Sequence, residues 1–195
     1  GGCKTIMISS LDPRVTLANP VAGYSSYRTR AEFPSDLGDS EQTPNDLATV
    51  ADYTHLTALL AGRTALLTYN ARDNCCFASN HALAPLLAAA EPVFQLYGQP
   101  HRLRSHINLD PGTHNFELDN RQQYYRMLSD FFFAGRSDIT AAEIPSDSEV
   151  KTPEQLHVDI LADNAGFHTL AMNVMQSLPR DAKLPSEKQQ AAQWQ

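Results

Sequence analysis

Asp73 and His114 are the two side chains best placed to act together as an acid-oriented base. Asp73 lies in Asn70-Ala71-Arg72-Asp73-Asn74, directly after the apolar run Thr64-Ala65-Leu66-Leu67-Thr68-Tyr69. His114 lies in Asp110-Pro111-Gly112-Thr113-His114-Asn115-Phe116, directly after the strand-like run 103–109. A carboxylate bonded to one imidazole nitrogen sets the tautomer and stabilises the imidazolium. The other nitrogen can then take a proton from a hydroxyl nucleophile. The acid precedes the histidine by 114 − 73 = 41 residues, with one helix between them. That is the order of the last two members of a Ser…Asp…His triad. Gly112 lets the loop turn sharply enough to point the ring back at the site.

Each residue alone has a plainer reading. An Asp after a strand is commonly a turn former or helix cap, and a loop His is commonly solvated. The joint placement, each at a strand end and in order, singles the pair out. Asp110 competes as the acid but sits four residues before His114 on the same loop, so it reads as a turn residue. His106 reads as a packed or edge residue of its strand, and His101, beside basic residues, as exposed. Glu117 and Asp119 suit the N-terminus of the following helix, where negative charge is favoured. Tyr24 and Tyr27 are candidate pocket residues, with packing over the core rim as the plainer role. Cys75 and Cys76 follow the acid directly and could shape the site wall. With Cys3 they make three cysteines, which form neither a disulfide framework nor a zinc-ligand spacing. No zinc site is expected from them.

The nucleophile is the missing piece. No G-x-S-x-G elbow occurs. Gly23-Tyr24-Ser25-Ser26-Tyr27 and Gly135-Arg136-Ser137-Asp138-Ile139 both lack the second glycine, and neither joins a strand to a helix. Gly1-Gly2 at the start of a helix fits the residues just after an elbow serine, so the serine is expected just upstream of Gly1.

The elements that must position this pair alternate. A helix is expected over 2–11, ended by Asp12-Pro13. A short strand is expected over 15–19, stopped by Pro20, and then a polar, lid-like loop over 23–44. A helix should open at Thr43-Pro44-Asn45-Asp46, with a second short one carrying Leu56, Leu59 and Leu60. The run 64–69 reads as a parallel strand covered on both faces. A helix over 80–96 is complicated by Pro85 and Pro92, and an amphipathic helix over 120–133 places Tyr124, Leu128 and Phe131 or Phe132 on one face. The class is therefore α/β with a mostly parallel sheet. Residues 1–133 form the domain, and 134–195 read as a linker, over 137–165, and a short helical segment at 167–177.

Composition sets the outer limits. The chain has 195 residues, 42% hydrophobic and 19% charged, an ordinary globular balance. The net charge of −7 and the lack of a Lys/Arg cluster argue against a nucleic-acid partner. No apolar run is long enough for a membrane helix. The opening Gly1-Gly2-Cys3-Lys4 and the Gln/Ala/Lys-rich stretch Leu184 to Gln195 make the chain read as an internal fragment. Only three strand-like runs are legible, so an isolated chain is expected to expose an apolar sheet edge and to aggregate.

Four stretches together resemble the C-terminal half of α/β-hydrolase-fold proteins of the acetyl xylan esterase and dienelactone-hydrolase-like group, especially large bacterial secreted members. They are Gly1-Gly2-Cys3-Lys4-Thr5, Asp12-Pro13-Arg14-Val15, Leu66 to Asp73, and Gly112-Thr113-His114-Asn115-Phe116 with the helix after it. The resemblance covers about residues 1–133. It implies a partial α/β-hydrolase fold, with Asp73 as triad acid, His114 as general base and part of the oxyanion hole at Gly1 or Gly2. It implies ester hydrolysis through an acyl-enzyme with no metal and no cofactor, an acetylated carbohydrate or other small ester as substrate, and a secreted or periplasmic location. The substrate would lie over the 23–44 insertion, near Tyr24. The chain by itself, without the serine, is expected to be inactive. Two alternatives stand beside this reading: a prolyl-oligopeptidase-like serine peptidase, and a non-catalytic α/β-hydrolase-like binding module.

Overall fold

Apolar periodicity builds three parallel strands and the helices that cover them. The computed structural model describes residues 1–37, 42–44 and 46–179. The described chain runs α1 (Gly2–Leu11), β1 (Leu17–Ala18), α2 (Tyr27–Glu32), α3 (Leu47–Val50), α4 (Tyr53–Ala58), β2 (Thr64–Asn70), α5 (Ser79–Leu96), β3 (Leu103–Asn108), α6 (Leu118–Phe131) and α7 (Phe167–Ser177). The stretch from Leu184 to Gln195 lies outside the described residues.

The sheet order is β1-β2-β3, all parallel. Leu17 pairs with Thr64, and the β2–β3 register runs from Ala65–Leu103 to Asn70–Asn108. Every residue of β2 is buried, as a central parallel strand requires. Ala65, Leu67 and Tyr69 join Ile6 of α1, Leu56 of α4 and Leu83, Leu86 and Phe94 of α5 in one core. On the opposite face, Asn70 bonds Asn120 of α6. The sheet is thus covered on both sides. β3 is only half covered, and its residues alternate in exposure.

Several elements differ from the sequence reading. The 23–44 loop contains α2, because Ser26 caps it: its hydroxyl accepts from the Thr29 N–H at 3.0 Å. A 3₁₀ turn follows at Pro34–Leu37. β1 pairs over only two residues, with one further bridge between Val21 and Thr68. α5, by contrast, is the helix expected over 80–96, and it runs through both prolines. Each Pro costs about 3 kcal/mol in a helix interior, yet the opposite face buries Ala82, Leu83, Leu86, Ala90 and Phe94. That burial holds the helix together despite the lost backbone bonds. α6 ends at Phe131, so Phe132 and Phe133 are exposed, and its buried residues are Asn120 and Met127.

Arg63, just before β2, gathers the end of α1. Its guanidinium donates to the carbonyls of Ser9, Asp12 (3.1 Å), Val15 (3.1 Å), Ser10 (3.3 Å) and Leu59 (2.8 Å). These include C-terminal carbonyls of α1 that have no intrahelical partner. We expect Arg63→Met to lower stability by about 2–3 kcal/mol, the range for several charge-assisted bonds lost at once. Chemical denaturation measures this; an unchanged midpoint would mean that water serves these carbonyls equally well.

Contacts divide the chain into Gly1–Ile144 and Pro145–Gln195. In the first unit the segment after α6 is tied back to it. Arg121 donates to Glu143 at 2.6 and 2.7 Å, and the Gln122 amide donates to the Ala141 carbonyl. The second unit carries a 3₁₀ turn at Asp147–Glu149 and then α7, which occupies the segment read as a helix from sequence.

Candidate active site

β2 and β3 end side by side, at Asn70 and Asn108, and the loops that leave these ends meet. The Ala71 N–H donates to the Asn108 carbonyl at 2.9 Å, and the Arg72 N–H donates to the Gly112 carbonyl at 2.8 Å. The Arg72 guanidinium donates to the carbonyls of Leu109 and Pro111 at 2.9 and 2.7 Å. Gly112 has φ of +72°, the left-handed region that favours glycine. A Cβ there would also stand 2.9 Å from the Leu109 carbonyl oxygen. The loop therefore turns where the sequence placed its glycine.

These loops bring Asp73 and His114 together. His114 Nδ1 lies 3.0 Å from both carboxylate oxygens of Asp73. The Asp73 side chain is fully buried, while that of His114 is 49% exposed. Asp73 Oδ1 also accepts the N–H groups of Cys75 (3.0 Å) and Cys76 (3.2 Å), and Oδ2 accepts from the Asn70 amide (2.9 Å). Asn74 Oδ1 accepts the His114 N–H at 3.0 Å. A buried carboxylate with this many donors is fixed in its orientation. With Nδ1 as its donor to the carboxylate, the imidazole keeps Nε2 as its basic nitrogen.

A cleft of about 330 Å³ lies at this end of the sheet. His114, Asn115 and Phe116 form one wall, and Gly1, Gly2, Thr5, Asn19 and Val21 form the other. The start of α1 thus faces the same space as the imidazole. The first N–H groups of a helix have no intrahelical acceptor and favour negative charge.

An asparagine network underlies the cleft and was not legible in the sequence. Asn70, Asn108 and Asn120 are fully buried. Asn108 Oδ1 accepts from the Gly112 N–H (2.9 Å) and the Asn115 amide (3.0 Å), and Asn70 Oδ1 accepts from the Asn120 amide (3.1 Å). The one local signal was an asparagine at the end of each of two strands. It acquires meaning only once the register sets them opposite each other.

The other candidates fall elsewhere. Tyr24 does not line the cleft. It is fully buried beside Tyr53 and Tyr69; its hydroxyl pairs with Thr57 at 3.2 Å, and its carbonyl accepts from the Tyr69 hydroxyl at 2.6 Å. Burial pushes its phenol pKa well above the ordinary value. Tyr27 packs edge-on against Tyr53. The Asp110 carbonyl accepts from the Asn108 amide, a turn role. His106 bonds Asp119 at 2.7 Å on the outer strand. Burial raises the Asp119 carboxyl, but the bonds from Asn108 and His106 outweigh it and hold the group below the usual range. His101 stacks on Phe131. A further His81–Asp36 pair, at 2.9 Å, joins α5 to the 3₁₀ turn at Pro34–Leu37. Of these pairs, His114–Asp73 is the one whose histidine lines the cleft at the strand ends.

Among the described residues, no group of three or more His, Cys, Asp or Glu side chains could hold a metal ion. No described helix is long and apolar enough to cross a membrane.

No protein-family model and none of the curated proteins matches the chain. Solved structures do match its fold. Methylesterase BT1017 superposes with a TM-score of 0.55 at 19% identity, over 72% of this chain and 30% of that one. The glucuronoyl esterase catalytic domain (Cip2_GE) from Hypocrea jecorina gives 0.51 at 14% identity, over 76% of this chain and 47% of that one. The chain spans less than half the length of either. Its three parallel strands and their helices make up part of an α/β-hydrolase fold.

Proposed function

We propose that this chain is the C-terminal part of a serine hydrolase that cleaves carboxylic esters of carbohydrates through an acyl-enzyme. Asp73 orients the imidazole, and His114 is the general base. The nucleophilic serine stands just before Gly1, on the turn into α1. The N–H groups at Gly1 and Gly2 supply part of the oxyanion hole. In the first step, Nε2 of His114 takes the serine proton as the oxygen attacks the ester carbonyl. The imidazolium then protonates the leaving alcohol, and water repeats the sequence to free the acid. Residues 1–133 carry this machinery.

The observation that carries the proposal is the His114–Asp73 bond at 3.0 Å, on loops that close one wall of a cleft whose other wall is the start of α1. The two esterases with similar folds support the ester class. The test is a fluorophosphonate probe and p-nitrophenyl acetate turnover on the full-length protein. Covalent labelling of a serine adjacent to Gly1 is the expected result. No labelled serine there, or a different residue at that position, would overturn the proposal in favour of a binding module.

A further inference from the structure

The two cysteines after Asp73 are more than wall residues. Their Sγ atoms lie 3.6 Å apart, with Cys75 exposed and Cys76 half-buried. Their backbone N–H groups are the same two that donate to Asp73 Oδ1 at 3.0 and 3.2 Å. The next residue, Phe77, is fully buried at φ of +63°, and its N–H donates to Asp36 at 3.2 Å. The turn is therefore anchored on both sides of the cysteine pair. A change of covalent state at the sulfurs thus bears directly on the 75–76 peptide.

We propose that Cys75 and Cys76 form a reversible vicinal disulfide, and that its formation loosens the hold on Asp73 and lowers turnover at His114. The second clause rests on the catalytic reading above; the first does not.

The chemistry is two thiol–disulfide exchanges with a small-molecule disulfide as oxidant. The Cys75 thiolate attacks one sulfur of the oxidant, forming a mixed disulfide and releasing one thiolate. The Cys76 sulfur, losing its proton to solvent, then attacks Cys75 Sγ and releases the second. The protein dithiol gives up two electrons, and the oxidant leaves as two thiols carrying the two protons. Exposure makes Cys75 the first attacker. Burial pushes the Cys76 thiol up to about 12, and hydrogen bonding and charge from Cys75 add to this. Cys3 takes no part, because it is buried against the Tyr53 hydroxyl.

The consequence for Asp73 follows from ring geometry. Adjacent Cα atoms stand about 3.8 Å apart, closer than the roughly 4.4–6.8 Å of ordinary disulfides. The eight-membered ring is therefore strained and readily reduced. The Cys76 nitrogen is a ring atom, so closing the ring turns the N–H that points at Asp73. The Cys75 nitrogen lies outside the ring and keeps its bond more easily.

The test treats the full-length protein with oxidised glutathione, then maps its peptides by mass and records turnover and the His114 imidazole NMR signal. The expected result is loss of two hydrogen atoms from the peptide holding Cys75 and Cys76. A fall in turnover of roughly tenfold, as for one lost charge-assisted bond, should accompany it. A shifted His114 signal is also expected, and dithiothreitol should reverse all three. Cys75→Ser should abolish the response to oxidant. Persistent free thiols, or a stable glutathione adduct on Cys75, would overturn the proposal. A disulfide that leaves turnover and the His114 signal unchanged would overturn the control of Asp73. In that case the catalytic reading would stand or fall separately, on His114→Ala. A disulfide that shifts the His114 signal in a protein with no turnover in either state would support the coupling and sink the catalytic reading.

Discussion

His114→Ala in the full-length protein is expected to lower ester turnover by about 10⁴-fold or more, with Asp73→Asn close behind. His114 is the sole described route for a proton out of the cleft that also has a buried carboxylate on its second nitrogen. Alanine there removes the base. Asparagine at position 73 keeps the shape but offers an amide N–H towards Nδ1, which selects the wrong tautomer. Because the two side chains act as a unit, the double variant should be little worse than His114→Ala alone. The His114→Ala loss should not come from unfolding. His114 is half exposed, and its side-chain hydrogen bonds are both to Asp73. Steady-state kinetics with a thermal melt on each variant checks this. A fall of less than tenfold in His114→Ala would remove the imidazole from the mechanism. Multiplying effects in the double variant would show that the two residues act independently.

The parts of this arrangement that the sequence made legible are those set by local pattern. β2 is one buried run, so its position and its parallel character could be read from Thr64 to Tyr69. The loops that follow β2 and β3 could be read in turn, and the Asp73–His114 pair with them. What stayed hidden depends on partners distant in sequence. α2 lies in a polar stretch that looks like loop, and the bond between Ser26 and Thr29 that starts it is easily missed among scattered serines and arginines. Tyr24 reads in sequence as a loop aromatic, either lining a pocket or packing over the core rim. Its burial comes from Tyr53, Thr57 and Tyr69, which arrive much later in the chain. The asparagine network is illegible for the same reason, since Asn70, Asn108 and Asn120 lie on three different elements. The helix α5 is the opposite case, legible from its Ala/Leu-rich pattern despite two prolines. Pro85 and Pro92 complicate the reading, but buried side chains on the helix's other face outweigh two missing N–H groups.

Gly23→Ala is expected to cost about 3 kcal/mol or more, through overpacking that has no side chain to yield. An ideal Cβ at Gly23 would stand 2.3 Å from the Cys3 nitrogen and the Gly2 Cα, and 2.4 Å from the Gly2 carbonyl carbon. A Cβ at Gly2 would stand 2.3 Å from the Val21 carbonyl oxygen and 2.7 Å from the Gly23 Cα. All of these are backbone atoms, so relief requires moving α1 or the segment after β1 bodily. That segment is already constrained: Ala22 has φ of +38°, and its N–H donates to the Thr68 carbonyl at 2.8 Å. The glycine pair therefore lets two backbones touch, and the contact seats the first turn of α1 against the Val21 side of the cleft. Alanine should both destabilise the fold and displace Gly1 and Gly2 from His114. A glycine with open space provides the contrast. Nothing lies within 4 Å of an added Cβ at Gly166, so Gly166→Ala should cost less than about 1 kcal/mol. Denaturant midpoints for the two variants test the argument. If Gly23→Ala unfolds at the wild-type midpoint, the two backbones are not in contact, and the seating of α1 at the cleft falls with that contact.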